Sequence, residues 1–415
     1  MKKGKKFFQR LTGWLTAFTL LAGSAVGYYH YTLPDQFRVT AGTKLRLNQT
    51  GLSIIDTVNK KEITASALKS ANQNYHAQLM LFDVIPIKTV SVKVVQEKLL
   101  VPCGTPFGIK MFTNGVMVVG VADIESAGKM INPAAVAGVK VGDIITEVNG
   151  KAVTQNSQVA KLIESSAGAP VELSIKRNEE TLTATLTPIL SDVDGSYKGG
   201  LWVRDSTAGI GTVTFYDPSN GSFGGLGHGI CDVDTNELMP LRSGDVVSVT
   251  ISGIVKGQKG RAGELRGYFN NDFPVGQLQA NSEGGVYGTL NSSPVSTEAI
   301  PLAVKQEVKT GAAQIYTTVD GTTPRPYGIE IESINYQDGT KTKNLVVKVT
   351  DPDLLSKTGG IVQGMSGSPI VQNGKLVGAV THVFVNDPTR GYGILAENML
   401  EICEKTSLES TEKAS

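Results

Sequence analysis

Apolar and polar residues alternate along much of this chain with the period of a β-strand. Residues 87–95, 116–121, 209–214, 245–254, 330–334 and 344–350 all carry the alternation, and Gly, Asn and Asp supply turns between such runs. Helical spacing is rarer. It predicts a short helix over 157–166, with Val159, Leu162 and Ile163 on one face, and another starting at Pro352-Asp353-Leu354-Leu355. A third helix is expected at 396–405, followed by a polar tail, 407–415, expected to be disordered. At the other end Lys2, Lys3, Lys5, Lys6 and Arg10 precede an uncharged run from Leu11 to about Tyr29. The run is long enough to span a bilayer, and its basic flank would place the rest of the chain across the membrane from the cytoplasm. Small residues at Ala22, Ser24 and Ala25 also suit a signal-peptide cleavage site, whereas Tyr28, Tyr29 and Tyr31 suit an interfacial belt and an uncleaved anchor.

Composition narrows the class. Lys+Arg 39 against Asp+Glu 38 leaves no basic excess for nucleic-acid binding. Gly 47 with 6% aromatics favours a turn-rich, mainly β protein of two or three domains in 415 residues. Cys103, Cys231 and Cys403 form no even disulfide framework and read as small buried hydrophobes. No cofactor or metal is called for.

The chemistry concentrates in Gly364-Met365-Ser366-Gly367-Ser368-Pro369. A serine between glycines, ahead of two short apolar strands joined by Asn373-Gly374, reads as the nucleophile loop of a serine peptidase. Its glycines allow the tight turn, and the N–H groups of Gly364 and Ser366 would form the oxyanion hole. Of four histidines, His228 lies in Gly224-Gly225-Leu226-Gly227-His228-Gly229, a loop suited to a general base at a cleft edge. Cys231, three residues on, is a rival nucleophile with a poorer loop. His382, on an expected strand over 377–385, is either a packed structural residue or a specificity determinant. The carboxylate that would orient His228 is open among Asp232, Asp234, Asp245, Asp272, Asp320, Asp351 and Asp353, with Asp351 and Asp245 inseparable on the residues alone.

Upstream, a turn at Thr113-Asn114-Gly115, a strand over 116–121, a short helix at Asn132-Pro133-Ala134-Ala135, a Gly142-Asp143 turn and an Asn149-Gly150 turn resemble a bacterial PDZ domain. Such a domain binds an extended peptide as an added strand. On that resemblance Phe107, Gly108 and Ile109 would receive a peptide carboxylate, with Val159 and Ile163 on the facing helix.

The Leu-Gly-His-Gly-Ile loop, the strand Gly211-Thr212-Val213-Thr214-Phe215 and Gly-Met-Ser-Gly-Ser-Pro-Ile-Val are similar to the stage IV sporulation protein B peptidases. The resemblance implies a basic cytoplasmic segment (1–10), an anchor or signal peptide (11–30), a β-rich spacer (31–102), a PDZ domain (103–191) and a serine peptidase domain (192–406), by analogy a chymotrypsin-like double β-barrel. It implies a triad of His228, Asp351 and Ser366 and self-cleavage near the N-terminus. It further implies cleavage of a membrane-bound regulator of a mother-cell membrane protease that processes a sigma-factor precursor. The place of action would be the space between the two spore membranes. The competing reading is a silent PDZ adaptor on a β scaffold.

Overall fold

The computed structural model describes residues 2–47, 51–56, 74–178, 180–270, 273–337 and 342–414, so the candidate Asp272 lies outside the described residues. The chain opens with a 31-residue helix, Lys2–Thr32. No described helix is long and apolar enough to cross a membrane, which corrects the spanning segment expected at 11–30. Thr12, Thr16, Thr19, Gly13, Gly23 and Gly27 dilute the apolar run, and the Thr16 and Thr19 hydroxyls bond back to the Thr12 and Leu15 carbonyls at 2.9 Å. Its last turns pack Ala25, Val26 and Tyr29 on a four-stranded sheet with its own core around Phe37, Leu79 and Val92. Within the 31–102 region, the strands Gln36–Thr40 and Ile85–Val95 pair in parallel. The sheet is tied to the rest by Arg38, which reaches Glu401 at 2.7 Å and Glu397 at 3.7 Å.

Two closed barrels follow. In the first, Pro106–Val121, Leu241–Val255, Gly276–Ser282, Gly285–Leu290, Ser222–Gly225 and Leu201–Tyr216 pair in that order, and Leu201–Tyr216 returns to Pro106–Val121 to close the ring. Phe107, Ile109, Met111, Val213, Phe223 and Val246 fill it. The second barrel runs Gly311–Thr317, Arg325–Ile334, Leu345–Val349, Arg390–Leu395, Lys375–Val383 and Pro369–Gln372. Alternation along these strands sends one face inward, so Ile315, Ile329, Val347, Ile370 and Val380 form its core. The C-terminal helix Ala396–Ala414 seats Met399, Leu400 and Cys403 against Leu100, Phe215 and Tyr287 from the sheet of the first barrel and Leu376 from the second barrel. It continues to Ala414 where a disordered tail was expected, because no Gly or Pro after Ser407 stops it.

The PDZ domain is inserted into the first barrel. Pro106–Val121 starts among the barrel core residues and ends with Val116 and Val118 packed on Ile145, Ile163 and Leu173. Leu201–Tyr216 makes the return journey. Boundaries at 102/103 and 191/192 therefore cut through the barrel sheet. The expected turn at Thr113-Asn114-Gly115 is a bend in one strand. Its flanks both pair with Leu201–Tyr216, and Gly115 takes φ +91 at the kink.

Candidate active site

A cleft of about 510 Å³ lies where the barrels meet, lined by Ile210, His228, Cys231, Gly364, Ser366 and His382 among others. The structure thus brings the serine loop, the histidine loop and His382 together across more than a hundred residues of chain.

Ser366 sits in a loop whose backbone is anchored from both barrels. Met365 is fully buried in the second barrel and its N–H bonds to Val362 O at 3.1 Å. Gly367 N–H donates to Val380 O (2.8 Å) and Ser368 N–H to Met365 O (2.9 Å). The first barrel grips three carbonyls. Thr212 Oγ1 donates to Gly364 O and Thr214 Oγ1 to Gly367 O, both at 2.7 Å, while Thr212 N–H donates to Ser366 O at 3.1 Å. Gly364 (φ +96) and Gly367 (φ +95) take left-handed conformations, and a Cβ on Gly367 would lie 2.0 Å from Thr212 O. Among the described residues the N–H groups of Gly364 and Ser366 donate to no protein acceptor, the state an oxyanion hole requires. The Ser366 hydroxyl itself donates to Thr381 O at 2.6 Å, so it must leave this bond before giving its proton to a base.

His228 follows a turn in which Leu226 (φ +63) and Gly227 (φ +68) are both left-handed, and Gly227 packs on Thr381 and Ile394. Its Nδ1 lies 2.9 Å from Gly229 O. A carbonyl only accepts, so the proton resides on Nδ1 and Nε2 carries the lone pair of a general base. Burial holds the imidazole below its ordinary pKa, with the Gly229 bond partly opposing it. The His382 ring is 4.9 Å from that of His228, tilted by 37°. His382 stands exposed at the cleft mouth, its pKa lowered to about 4 by desolvation, then by His228 and Lys343.

None of the described aspartates lines the cleft. The Asp351 carboxylate caps the helix Pro352–Thr358: Oδ1 accepts from Asp353 N (3.0 Å) and Leu354 N (3.1 Å), and Oδ2 from Gly328 N (3.3 Å). Asp245 lies inside the first barrel sheet opposite Lys110 and Gln277. Asp232 is buried and, with Asp234, receives Arg204. Cys231 is exposed in the cleft, a correction to the buried hydrophobe expected there. Its thiol is pushed up by desolvation and then by Glu237 and Glu283, which favours the protonated, non-nucleophilic form.

A second cavity, of about 640 Å³, lies on the PDZ domain between the helix Asn156–Ser165 and the start of Leu201–Tyr216. Val159 and Ile163 form its floor while packing into the domain core, and Trp202 stands exposed at its rim. Phe107, Gly108 and Ile109 are absent from this groove. They are strand residues paired with Gly211, Ile210 and Gly209 on one side and Ser248, Val247 and Val246 on the other. Their expected role as a carboxylate-binding loop is thereby corrected: both backbone edges are already used. Nothing in the sequence marked Gly199–Val203 as the groove wall, because those residues reach the PDZ helix only through the barrel pairing.

Residues 195–400 match the SpoIVB peptidase S55 family, and residues 132–177 match the PDZ domain family. Among solved structures, the PDZ domain of the SdrC-like protein from Listeria monocytogenes is 26% identical, covering 22% of this chain and 87% of that one with a TM-score of 0.19. Its counterpart from Listeria innocua is 23% identical over 22% and 93%, with a TM-score of 0.18. The inactive form of the Rv3671c protease is 13% identical over 48% and 84%, with a TM-score of 0.28. With a serine loop and a histidine loop facing one cleft and a PDZ domain inserted beside them, the chain belongs to the SpoIVB peptidase family and is a PDZ-containing serine peptidase.

Proposed function

We propose that this chain is an endopeptidase in which Ser366 attacks the scissile carbonyl and His228 Nε2 takes and returns the proton. Gly364 and Ser366 N–H groups receive the oxyanion. The observation that carries this reading is the His228 Nδ1 contact to Gly229 O, which presents the required tautomer within the cleft that holds Ser366. Asp351 supports the site from a distance, by capping the helix whose C-terminal Gly359 leads into the nucleophile loop. His382, beside His228, contacts a substrate side chain and contributes to sequence preference.

The substrates are proteins: the chain itself, cut near its N-terminus, and a membrane-bound regulator whose loss releases a mother-cell membrane protease acting on a sigma-factor precursor. The site of action is the extracytoplasmic side, between forespore and mother-cell membranes. Family membership supports this sporulation assignment, and the signal-peptide reading of the basic residues ahead of the uncharged stretch, with small residues at Ala22, Ser24 and Ala25, supports the location. The groove floored by Val159 and Ile163 recruits a peptide from the substrate or a partner. A fluorophosphonate probe, with mass-spectrometric mapping of self-cleavage products, tests the reading. Wild type labels on Ser366 and trims itself, and Ser366→Ala does neither. An unlabelled wild type that remains intact would favour the adaptor reading instead.

A further inference from the structure

The strand Leu201–Tyr216 touches both the PDZ groove and the catalytic cleft. Leu201, Trp202 and Val203 line the PDZ groove, and Thr207 to Ile210 line the catalytic cleft. Between them stand Arg204 and Asp205, flanked by register shifts at Trp202/Val203 and Arg204/Ser206. Consecutive strand residues point to opposite faces, and these two use both. Arg204 forks onto Asp232 and, at 2.8 Å, Asp234. Asp232 lies four residues beyond His228, in the same loop. Asp205 Oδ2 accepts from the N–H of Asn156, the first residue of the groove helix Asn156–Ser165, at 2.8 Å, and its carbonyl accepts from Thr113 Oγ1 at 3.0 Å.

The Arg204 contact is built into the loop. The Asp232 side chain is fully buried, and its Oδ1 also accepts from Asp234 N and Thr235 N, both at 3.0 Å. Between that turn and the histidine, Asn281 holds Ile230, accepting from its N–H and donating to its carbonyl, both at 2.8 Å. The segment from His228 to Thr235 is thus a braced unit with Arg204 as its connection to the PDZ strand.

We propose that Arg204 is a positioning residue of the peptidase: it holds the His228 loop in place and, with Asp205, transmits the state of the PDZ groove to His228. This rests on the peptidase reading above. Displacement of the groove helix or of Leu201–Val203 by an occupant moves Asp205 and Arg204, and Arg204 shifts the loop that carries the base. A general base displaced by about 1 Å loses on the order of 10²-fold in rate, so small movements suffice.

The test is the rate of fluorophosphonate labelling of Ser366 in the full chain. Four proteins are compared: wild type, Ala160→Trp, which fills the groove from the helix, Arg204→Ala, and the double variant. Arg204→Ala is expected to slow labelling and to lower kcat for peptide hydrolysis with KM unchanged, and Arg204→Lys to recover part of the loss. Ala160→Trp is expected to change the wild-type rate by about fivefold or more. In the Arg204→Ala background it should change the rate by less than about twofold. Equal effects of Ala160→Trp in both backgrounds, or none in wild type, overturn the proposal. Should Arg204→Ala not fold, Asp234→Asn removes only the outer, exposed arm of the fork and should reduce the same coupling. Absence of Ser366 labelling in wild type would instead sink the underlying peptidase reading, an outcome separable from lost coupling.

Discussion

Replacing Asp351 by Asn and by Ala separates two roles that the sequence leaves merged. As the third member of a triad, Asp351 would hold the His228 imidazolium, and an Asn there would stabilise the wrong tautomer at a cost of about 10⁴ in kcat. The structure gives its carboxylate other work: two N–H groups of the helix Pro352–Thr358 and that of Gly328. Asn caps helices as well as Asp does and loses only the 3.3 Å contact to Gly328, a change of about 0.5 kcal/mol. Ala removes the cap and should cost about 1–2 kcal/mol of stability. The helix ends at Gly359 (φ +74), seven residues before Ser366, so loosening its start is felt in the nucleophile loop. Labelling rate, kcat/KM and urea midpoint measured on both variants give the answer. Asn is expected to keep activity within about threefold of wild type, and Ala to lose stability with a moderate loss of rate. A loss of about 10³-fold or more in Asp351→Asn with an unchanged urea midpoint would refute the capping argument and restore the triad.

Ser366→Ala and His228→Ala should each abolish probe labelling and self-cleavage without unfolding, and the double variant should be little worse than either, since such groups act as a unit. Retained proteolysis in Ser366→Ala, lost on adding Cys231→Ala, would move the nucleophile to the thiol. Burial disfavours the His228 imidazolium, so the neutral base persists to lower pH than in a free imidazole. The acidic limb of kcat/KM should therefore have its midpoint below 6.5, and a midpoint above 7 would contradict the burial argument. His382→Ala should raise KM or alter residue preference at the cut site while Ser366 still labels, and an unchanged cleavage profile would leave His382 a structural residue.

The sequence by itself determined what depends on neighbours along the chain. Gly364-Met365-Ser366-Gly367 could be read as a nucleophile loop because its glycines and serine are consecutive. The same holds for the histidine loop, and for the short helix at Asn132-Pro133-Ala134-Ala135, the Gly142-Asp143 turn and the Asn149-Gly150 turn of the PDZ domain. Strand alternation likewise announced a mainly β protein. Tertiary structure decided what depends on which strand pairs with which. Phe107-Gly108-Ile109 alternates as well in a barrel as at a peptide groove, and only pairing with Leu201–Tyr216 and Leu241–Val255 places it in the barrel. Residues on both sides of the PDZ insertion are sequence-distant and share one sheet, so no local signal marks the boundary. Asp351 is equally fit to cap a helix or to orient an imidazole, and the choice follows from which donors the fold brings to it. The N-terminal helix falls on the sequence side of this division: its length follows from an unbroken run without proline, and its threonines and glycines dilute the apolar run along it. Arg204 and Asp205 had no sequence signal at all, because Asp232 meets the one and Asn156 the other only when the two long strands close the barrel around the inserted domain.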